Sequence, residues 1–367
     1  MIRDAEGRSP LRITTVGFQG FENIGDEAIL TGIEAALGGT EAMVTTVFSG
    51  PRPEGIAAFP AARRVVSWRH LPGPSAMRIL RRTDLLVLAG GGIFNDYWTA
   101  VIPRYLAWVL AARLAGARIA LVGVGVGPIR RGWLRWLARL AARASTLVLV
   151  RDRASAELLG SPQEVRVIPD PSLFNPLPAS SGQRTELGLI VRAPTRASAA
   201  YRHELVDALA TAAAAAARRG VHPVILTMAG EADRAIADAV IRTLERDGLR
   251  EVAAREALGP TPAAALQRLA RLSGLLTVRL HGLLLGALAG VPTVPIAYDD
   301  KVRVAADRLG LGDLVVPLAG VSAADLLDRL DAAASAERRA AVRARVQALR
   351  TEGDDLAAAV MTIGRRR

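Results

Sequence analysis

The sequence predicts an α/β protein with two Rossmann-like domains that face each other across a cleft. Short apolar segments ending near glycines alternate with helix-like stretches, which is typical of parallel sheets. The alternation stops at a segment rich in Pro, Ser and Gly, residues 169–185, and then starts again. We therefore predict an N-terminal α/β domain over residues 1–175 and a C-terminal α/β domain over residues 186–325. Helices over residues 326–367 are expected to pack back towards the N-terminal domain.

The individual elements follow this alternation. Strand candidates in the first half are 11–17, 84–90, 118–124, 145–151 and 164–169, and the first three run into glycine-rich turns. The second half has strand candidates at 187–192, 221–228, 275–279 and 292–298, helices at 203–219, 231–247 and 282–289, and further helices over about 322–363. In folds of this class ligands bind beyond the carboxyl ends of the strands, so the turns there are the expected sites.

Composition excludes several classes of function. The chain has no cysteine, which excludes disulfides and thiolate chemistry, and its four histidines are isolated, so we expect no metal site. The net charge of +12 permits anionic ligands, but no basic patch with interleaved aromatics indicates nucleic acid. The N-terminus lacks the apolar core of a signal peptide, and the longest apolar stretch is interrupted by charge and proline. We expect a cytoplasmic protein.

The first candidate site is the segment GFQGFENIGDEAIL, residues 17–30. A glycine-containing loop enters a helix, as in many phosphate sites, yet this helix begins with Asp26 and Glu27. Carboxylates at a helix N-terminus satisfy its amides from within and repel phosphate. Asn23 and Gly25 precede them. The segment therefore indicates a site for sugar hydroxyls with a carboxylate as general base, although Asp26 as a simple helix cap is the alternative.

A second loop, AGGGIFND, residues 89–96, adds polar groups at the same edge of the predicted sheet. Gly91 and Gly92 allow the backbone to approach a ligand closely, and Asn95 and Asp96 follow them. A tight turn with Asp96 capping the next helix is the alternative. Amide and carboxylate groups match hydroxyls, which both donate and accept hydrogen bonds.

The second half carries the opposite chemistry. Arg279 and His281 end a strand and open a helix, where Gly282 offers a free amide. A helix N-terminus with a guanidinium is suited to a carboxylate or a phosphate. Arg192 ends the first strand of this half, and Lys301, the single lysine of the chain, follows another strand. A site for hydroxyls and a site for anions together indicate transfer of an anionic group onto a sugar.

Five segments in this order resemble the polysaccharide pyruvyl transferase family. They are GFQGFENIGDEAIL, AGGGIFND, VGVGVGPI (122–129), VRDRAS (150–155) and VRLHGLLLGALAGVPTVPIAYDDKV (278–302). The resemblance extends over roughly residues 11–320 and is greatest to the cell-surface anchoring CsaB type. It implies a GT-B-like fold and no cofactor. The family moves the pyruvyl group of phosphoenolpyruvate onto two hydroxyls of one sugar as a cyclic ketal.

The resemblance also implies partners and roles. In the CsaB type the acceptor is N-acetylmannosamine in a lipid-linked precursor of a secondary cell-wall polymer, which anchors S-layer proteins. Arg279, Leu280 and His281 match the family's segment for phosphoenolpyruvate. Arg192 matches an earlier arginine of the family, although the residues around it, VRAPTR, depart from the family's pattern. His281 is then the acid or a phosphate ligand, and Asp26, Glu27 or Asp96 the base. A GT-B-like glycosyltransferase using a nucleotide sugar is the first alternative, and a non-catalytic sugar-binding protein the second.

One segment bears on membrane contact. Residues 128–145 place Arg131, Arg135, Arg139 and Arg143 four apart, with Trp133, Trp136, Leu137 and Leu140 elsewhere around the helix. This pattern is compatible with peripheral contact at the inner face of an anionic membrane and equally with the solvated outer face of a sheet-packing helix.

Overall fold

A computed structural model describes residues 10–18, 20, 23–37, 42–48, 62–67, 72–160, 165–178, 184–192, 199–249 and 254–365. Their contacts divide into two compact units. Unit 1 contains the described residues up to 20, those from 26 to 175 and those from 349 onwards. Unit 2 contains residues 23–25 and the described residues from 176 to 348.

Unit 1 is built on a seven-stranded parallel sheet. Its strands are β1 (Leu11–Val16), β2 (Ala42–Phe48), β3 (Ala62–Ser67), β4 (Leu85–Phe94), β5 (Arg118–Val126), β6 (Leu147–Val150) and β7 (Val165–Val167). They lie in the order β3-β2-β1-β4-β5-β6-β7. The connections reverse direction between β1 and β4, which is the Rossmann arrangement and places a ligand-binding crevice at the carboxyl ends of these two strands.

Helices cover both faces of this sheet. One face packs against α2 (Pro74–Leu80), α3 (Val101–Leu114), α4 (Gly132–Arg143) and α5 (Arg153–Leu159). The other packs against α1 (Ile24–Leu37) and the C-terminal part of α12 (Ala336–Arg365). A 3₁₀ helix, Pro171–Phe174, follows β7. Strands covered on both faces read as continuous apolar runs, as β5 and β6 do here.

Unit 2 repeats the plan with six parallel strands. They are β8 (Glu186–Ile190), β9 (His222–Thr227), β10 (Ala254–Ala257), β11 (Leu272–Thr277), β12 (Thr293–Ala297) and β13 (Val316–Pro317), in the order β10-β9-β8-β11-β12-β13. The helices are α6 (Ala199–Arg218), α7 (Gly230–Arg246), α8 (Pro262–Ala270), α9 (Leu280–Leu288), α10 (Asp300–Leu309) and α11 (Ala323–Ala333). Three of them, α6, α7 and α11, share one core with the sheet. The reversal point lies between β8 and β11.

The structure differs from the sequence-based elements in β4 and β5. The glycines of AGGGIFND do not form a turn after the strand, because β4 continues through them to Phe94. Gly90 packs against the backbone of Gly123 in β5, and a Cβ at Gly90 would lie 2.2 Å from the Gly123 carbonyl oxygen, so a larger residue there would separate the two strands. Strands β2, β3, β10 and β13 have no counterpart among the predicted elements.

The last helix changes unit along its length. Residues 336–348 of α12 belong to unit 2, and residues 349–365 belong to unit 1. The sequence-based division placed a boundary at residue 325, whereas the chain here returns to unit 1 only within α12. No helix of the described residues combines the length and apolarity needed to cross a membrane.

Candidate active site

The candidate site of unit 1 lies where the loop after β1 enters α1, beside the glycine stretch of β4. The Asp26 side chain is buried in the first turn of α1. It lies against Gly91, where an added Cβ would be 2.6 Å from Asp26 Oδ1. Gly91 also has a φ of +88°, which is unfavourable for other residues. The glycine is thus required both by the backbone conformation and by the carboxylate beside it.

Glu27 is the next residue of α1, and its carboxyl group is partly buried. Its Oε1 accepts a hydrogen bond of 2.7 Å from the backbone N–H of Gly20. The pKa of this carboxyl is raised to about 7: burial is the largest cause, the Gly20 N–H acts to lower the pKa, and the nearby charge of Asp26 acts to raise it. A carboxyl group that titrates near neutral pH can both accept and donate a proton there.

Asp96 has a different environment. It is buried, and its Oδ2 accepts a hydrogen bond of 2.7 Å from the backbone N–H of Arg130. Arg131 NH1 lies 3.9 Å from the same oxygen and donates to the Asp96 carbonyl. Burial acts to raise the pKa of Asp96, but the N–H groups and charges of these arginines outweigh it and lower the pKa. Asp96 therefore ties the end of β4 to the segment after β5.

Asn95 and Gly92 form a local turn beside Asp96. The Asn95 amide nitrogen donates to the Gly92 carbonyl at 2.5 Å, and its amide oxygen accepts from the Tyr97 N–H at 3.0 Å. Gly92 is exposed, with open space where a Cβ would stand. Both polar ends of the Asn95 side chain are used within the loop, so these two residues shape the crevice of unit 1.

In unit 2, Arg279 stands between β11 and α9 and is held by an aspartate that the sequence reasoning missed. Arg279 NH2 donates to Asp233 Oδ1 at 2.6 Å. Asp233 is fully buried in the first turn of α7, and its other oxygen accepts from the N–H groups of Met228 and Ala229 at 3.1 and 2.9 Å. The only sequence signal for Asp233 was an acid shortly after a strand end. The Nε of Arg279 is buried without a hydrogen-bond partner in the described structure, so it can donate to a bound anion.

Residues 23–25 pack against residues 228–229 and against His281 within unit 2. Asn23 forms an isolated bridge with Ala229, and the N–H of Ile24 donates to the Met228 carbonyl at 3.1 Å. A Cβ at Gly25 would overlap the imidazole of His281, which lies in the first turn of α9. Asn23 Oδ1 accepts from the Gly25 N–H at 3.2 Å. These contacts assign Asn23 and Gly25 to the surroundings of His281.

Other sequence-predicted residues of unit 2 lie at neighbouring strand ends. Arg192, just after β8, donates to the Tyr298 hydroxyl at 3.0 Å, and its guanidinium lies 5.7 Å from the centre of that ring. Lys301 lies in the first turn of α10, which Asp299 caps. Leu280 is the first residue of α9. Gly282 packs against Thr277 of β11, so a larger residue there would push α9 off the sheet.

The two crevices therefore contain different chemistry. Unit 1 brings together Asp26, Glu27 and Gly91, and unit 2 brings together Arg279, His281, Asn23 and Gly25. Within the described ranges, no three His, Asp or Glu side chains come together in a way that could hold a metal ion.

Two Rossmann-like units with polar groups at the carboxyl edges of their sheets define an α/β protein of the GT-B-like class. The family described as polysaccharide pyruvyl transferase matches residues 23–300. The chain therefore belongs to this family, and it is a transferase. The predicted resemblance to this family is confirmed, and so is the predicted α/β class with two Rossmann-like units. A comparison with curated proteins gives no match.

Solved structures with the same fold extend over nearly the whole chain. Anabaena Alr3699/HepE, in complex with UDP and glucose, is 14% identical, with 96% of this chain and 97% of that chain covered and a TM-score of 0.60. UDP-GlcNAc 2-epimerase from Methanocaldococcus jannaschii is 12% identical over 96% and 100%, with a TM-score of 0.62. A glycosyltransferase from Rickettsia africae is 12% identical over 98% and 100%, with a TM-score of 0.61. At these identities the likeness shows the fold alone.

Proposed function

We propose that this protein transfers the pyruvyl group of phosphoenolpyruvate to two hydroxyls of one sugar, forming a cyclic ketal. The proposed acceptor is N-acetylmannosamine in a lipid-linked precursor of a cell-wall polymer that anchors S-layer proteins. In this proposal unit 2 binds phosphoenolpyruvate, unit 1 binds the sugar, and the reaction needs no cofactor. Family membership supports the reaction type, and the site residues support the roles below.

The observation that carries the donor assignment is the position of Arg279. Its guanidinium is fixed by the buried Asp233 at 2.6 Å and retains a buried Nε–H without an acceptor among the described residues. It stands at the N-terminus of α9, where backbone N–H groups and the helix dipole favour negative charge. A small dianionic or trianionic donor matches this arrangement. Arg192 and Lys301 are proposed as further cationic groups for the carboxylate and phosphate, with Leu280 and Gly282 contributing backbone.

The proposed reaction balances without an added reactant. A proton reaches C3 of the enol and C2 becomes electrophilic. One sugar hydroxyl oxygen bonds to C2, the bond from C2 to the phosphate oxygen breaks, and phosphate leaves. The second hydroxyl oxygen then bonds to C2. The two sugar hydroxyls release two protons. One replaces the proton that was delivered to C3, and the other leaves with phosphate. We assign the proton for C3, or a contact with the phosphate, to His281, and base catalysis to Glu27, whose pKa lies near 7.

The test is phosphate release from phosphoenolpyruvate with a panel of N-acetylhexosamine lipid or aryl mimics. The proposal expects release that depends on one acceptor and a product heavier by one pyruvyl ketal. Thermal shift with phosphoenolpyruvate and with UDP forms the second arm. Stabilisation by UDP alone, with no phosphate release, would replace the proposal by the nucleotide-sugar alternative. If neither phosphate release nor stabilisation by phosphoenolpyruvate or UDP were observed, the non-catalytic alternative would replace the proposal.

Site variants test the residue roles separately from the reaction. Arg279→Ala and His281→Ala should each lower turnover far more than threefold, because each removes a group that contacts the donor. The exposed Arg339→Ala on α12 is the matched control. Turnover within about threefold of wild type in both site variants would remove these roles from the proposal.

A further inference from the structure

The outer surface of α3 and α4 exposes an unusual concentration of large apolar side chains. Of the ten such exposed side chains in the described part of the chain, six lie between residues 97 and 136. Four of them are on these two helices and define what we term the α3–α4 surface: Leu110, Leu114, Trp133 and Trp136 are 42%, 86%, 52% and 60% exposed. Four exposed apolar side chains on two helices that pack side by side indicate an interaction surface.

The charged side chains of α3 and α4 are all basic. Between Asp96 and Asp152 the sequence contains no acidic residue and nine arginines. Arg113 and Arg143 are exposed on α3 and α4 themselves. The neighbouring α2 contains Arg78 and no acid. On the other side, α5 contributes Glu157, which pairs with Arg153 at 3.4 Å.

The arginine stripe predicted from the sequence has a different role from the apolar side chains. Arg131 donates to the carbonyl of Asp96, Arg135 to that of Ile129 and Arg139 to that of Leu158, so three of the four arginines are tied to the backbone of unit 1. The buried side of α4 consists of Leu134, Ala138, Ala141 and Ala142. The two tryptophans are left on the outside, where the sheet core does not use them.

We propose that the α3–α4 surface docks on a lipid bilayer that contains anionic headgroups. Tryptophan has an apolar ring and a polar N–H, so it is suited to the boundary between headgroups and acyl chains. Leucines add apolar burial, and arginines at the rim are attracted to anionic lipid. A second copy of this chain would bring two acid-free basic surfaces together, which like charges disfavour. A nucleic acid would leave the leucines without a partner. This inference does not depend on the proposed reaction.

The test is co-sedimentation of the full chain with vesicles. Phosphatidylcholine vesicles with a minor fraction of phosphatidylglycerol should bind the protein, pure phosphatidylcholine vesicles should bind it more weakly, and added salt should weaken the binding. Trp133→Ser with Trp136→Ser should lower the apparent affinity by about tenfold or more, since two apolar rings no longer insert. The matched control is Leu177→Ser with Tyr201→Ser, at side chains 56% and 41% exposed elsewhere.

A second variant pair tests the charge. Arg113→Gln with Arg143→Gln should lower binding to the anionic vesicles only, whereas Arg339→Gln with Arg343→Gln on α12 should not. Melting temperature and turnover with a soluble acceptor should be unchanged in the tryptophan variant, which separates docking from folding and catalysis. The proposal would be overturned if the apparent affinity for vesicles did not depend on phosphatidylglycerol, or if it were unchanged in the variant that carries both tryptophan substitutions. So would a concentration-dependent dimer that only the tryptophan variant abolishes, since it would assign the surface to a second copy.

Discussion

At the scale of single residues, Glu27 and Asp96 show how similar carboxylates acquire different properties. Both were candidates for the general base. Burial and the charge of Asp26 raise the pKa of Glu27 to about 7, while the hydrogen bonds from Arg130 and Arg131 overcome burial and lower that of Asp96. A base works best when its pKa lies near the working pH. We therefore propose Glu27 as the base and Asp96 as a structural anchor.

Glu27→Gln should lower kcat/KM by about a hundredfold or more, because the amide cannot accept the hydroxyl proton. In the wild type, kcat/KM should rise with pH through the pKa of about 7, since only the ionised carboxylate is a base. Asp26→Asn should move that rise to lower pH, because the Asp26 charge helps to raise the Glu27 pKa. The pH profile of phosphate release measures both effects. An unmoved profile in Asp26→Asn would contradict the assignment of the titration to Glu27.

The carboxyl group of Glu27 should also make the free energy of unfolding depend on pH. Its pKa is raised from 4.5 to about 7 on folding, so the folded state holds the proton more tightly than the unfolded state. The stabilising contribution is present below about pH 4.5 and is lost as pH rises towards about 7. Urea unfolding from pH 5 to 8 should show this decline in the free energy of unfolding, up to about 3 kcal/mol. Glu27→Gln should show a smaller decline, and an equal decline would assign it to other groups.

Asp233 is expected to act through Arg279. Asp233→Asn should weaken the pair at 2.6 Å and let the guanidinium move, while the amide still fills the space. We expect KM for phosphoenolpyruvate to rise by about tenfold or more, since a bidentate anion contact depends on fixed geometry. The control is Asp238→Asn on the same helix, where a half-buried carboxylate is paired with Arg255 instead of Arg279. A fall in melting temperature with an unchanged KM would mean that Asp233 is only structural.

At the scale of elements, the sequence indicated where glycines matter but not how. The alternation of apolar strands and helices, with glycines at strand ends, was enough to predict two Rossmann-like units. It placed the polar residues at the correct strand ends because such folds bind ligands there. The same alternation predicted a turn at AGGGIFND, because glycine runs usually end strands. The close approach of Gly90 to the Gly123 backbone, seen only in the structure, shows that this glycine keeps two neighbouring strands together.

The partners of the site residues could not be predicted for a similar reason. Asp233 and Arg279 are 46 positions apart and meet only because β9, β8 and β11 are neighbours in one sheet. Nothing in the sequence near Gly25 indicates that His281 packs against it. The pKa of Glu27 depends on burial and on Gly20, which no local pattern reveals. Residue types and strand ends were predictable, whereas pairings and burial required coordinates.

Gly25→Ala tests the packing at the start of α1. The new methyl group would overlap the imidazole of His281, so the ring must rotate or α1 must shift. Alanine favours a helix over glycine, so stability should change little while turnover falls by about tenfold or more. Gly73→Ala, at the start of α2 with open space around it, is the control for the same substitution. Normal turnover in Gly25→Ala would show that the position of His281 does not matter for catalysis.

At the scale of the whole molecule, the last helix has buried residues in both units. Leu356, Val360 and Ile363 of α12 are buried in the core beneath β1 and α1. Arg350 donates to the carbonyls of Leu173 and Asn175 at 2.5 and 2.6 Å. Val346 is buried too, but it lies in the part of α12 that belongs to unit 2. Unit 1 is therefore complete only when the last residues of the chain have folded onto it.

Two identical substitutions in this one helix should act on different units. Val360→Ala removes two methyl groups from the core of unit 1 and Val346→Ala does the same in unit 2, each at a cost of about 2 kcal/mol. Hydrogen exchange followed by mass spectrometry should show faster exchange of β1 and β4 in Val360→Ala. In Val346→Ala the faster exchange should fall within unit 2, on α10, whose Arg308 carbonyl accepts a hydrogen bond from the neighbouring Arg345. Because local opening follows the unit that lost its packing, exchange that rises over both sheets in either variant would mean that the units unfold together. Separate effects would establish α12 as one helix with two independent folding roles.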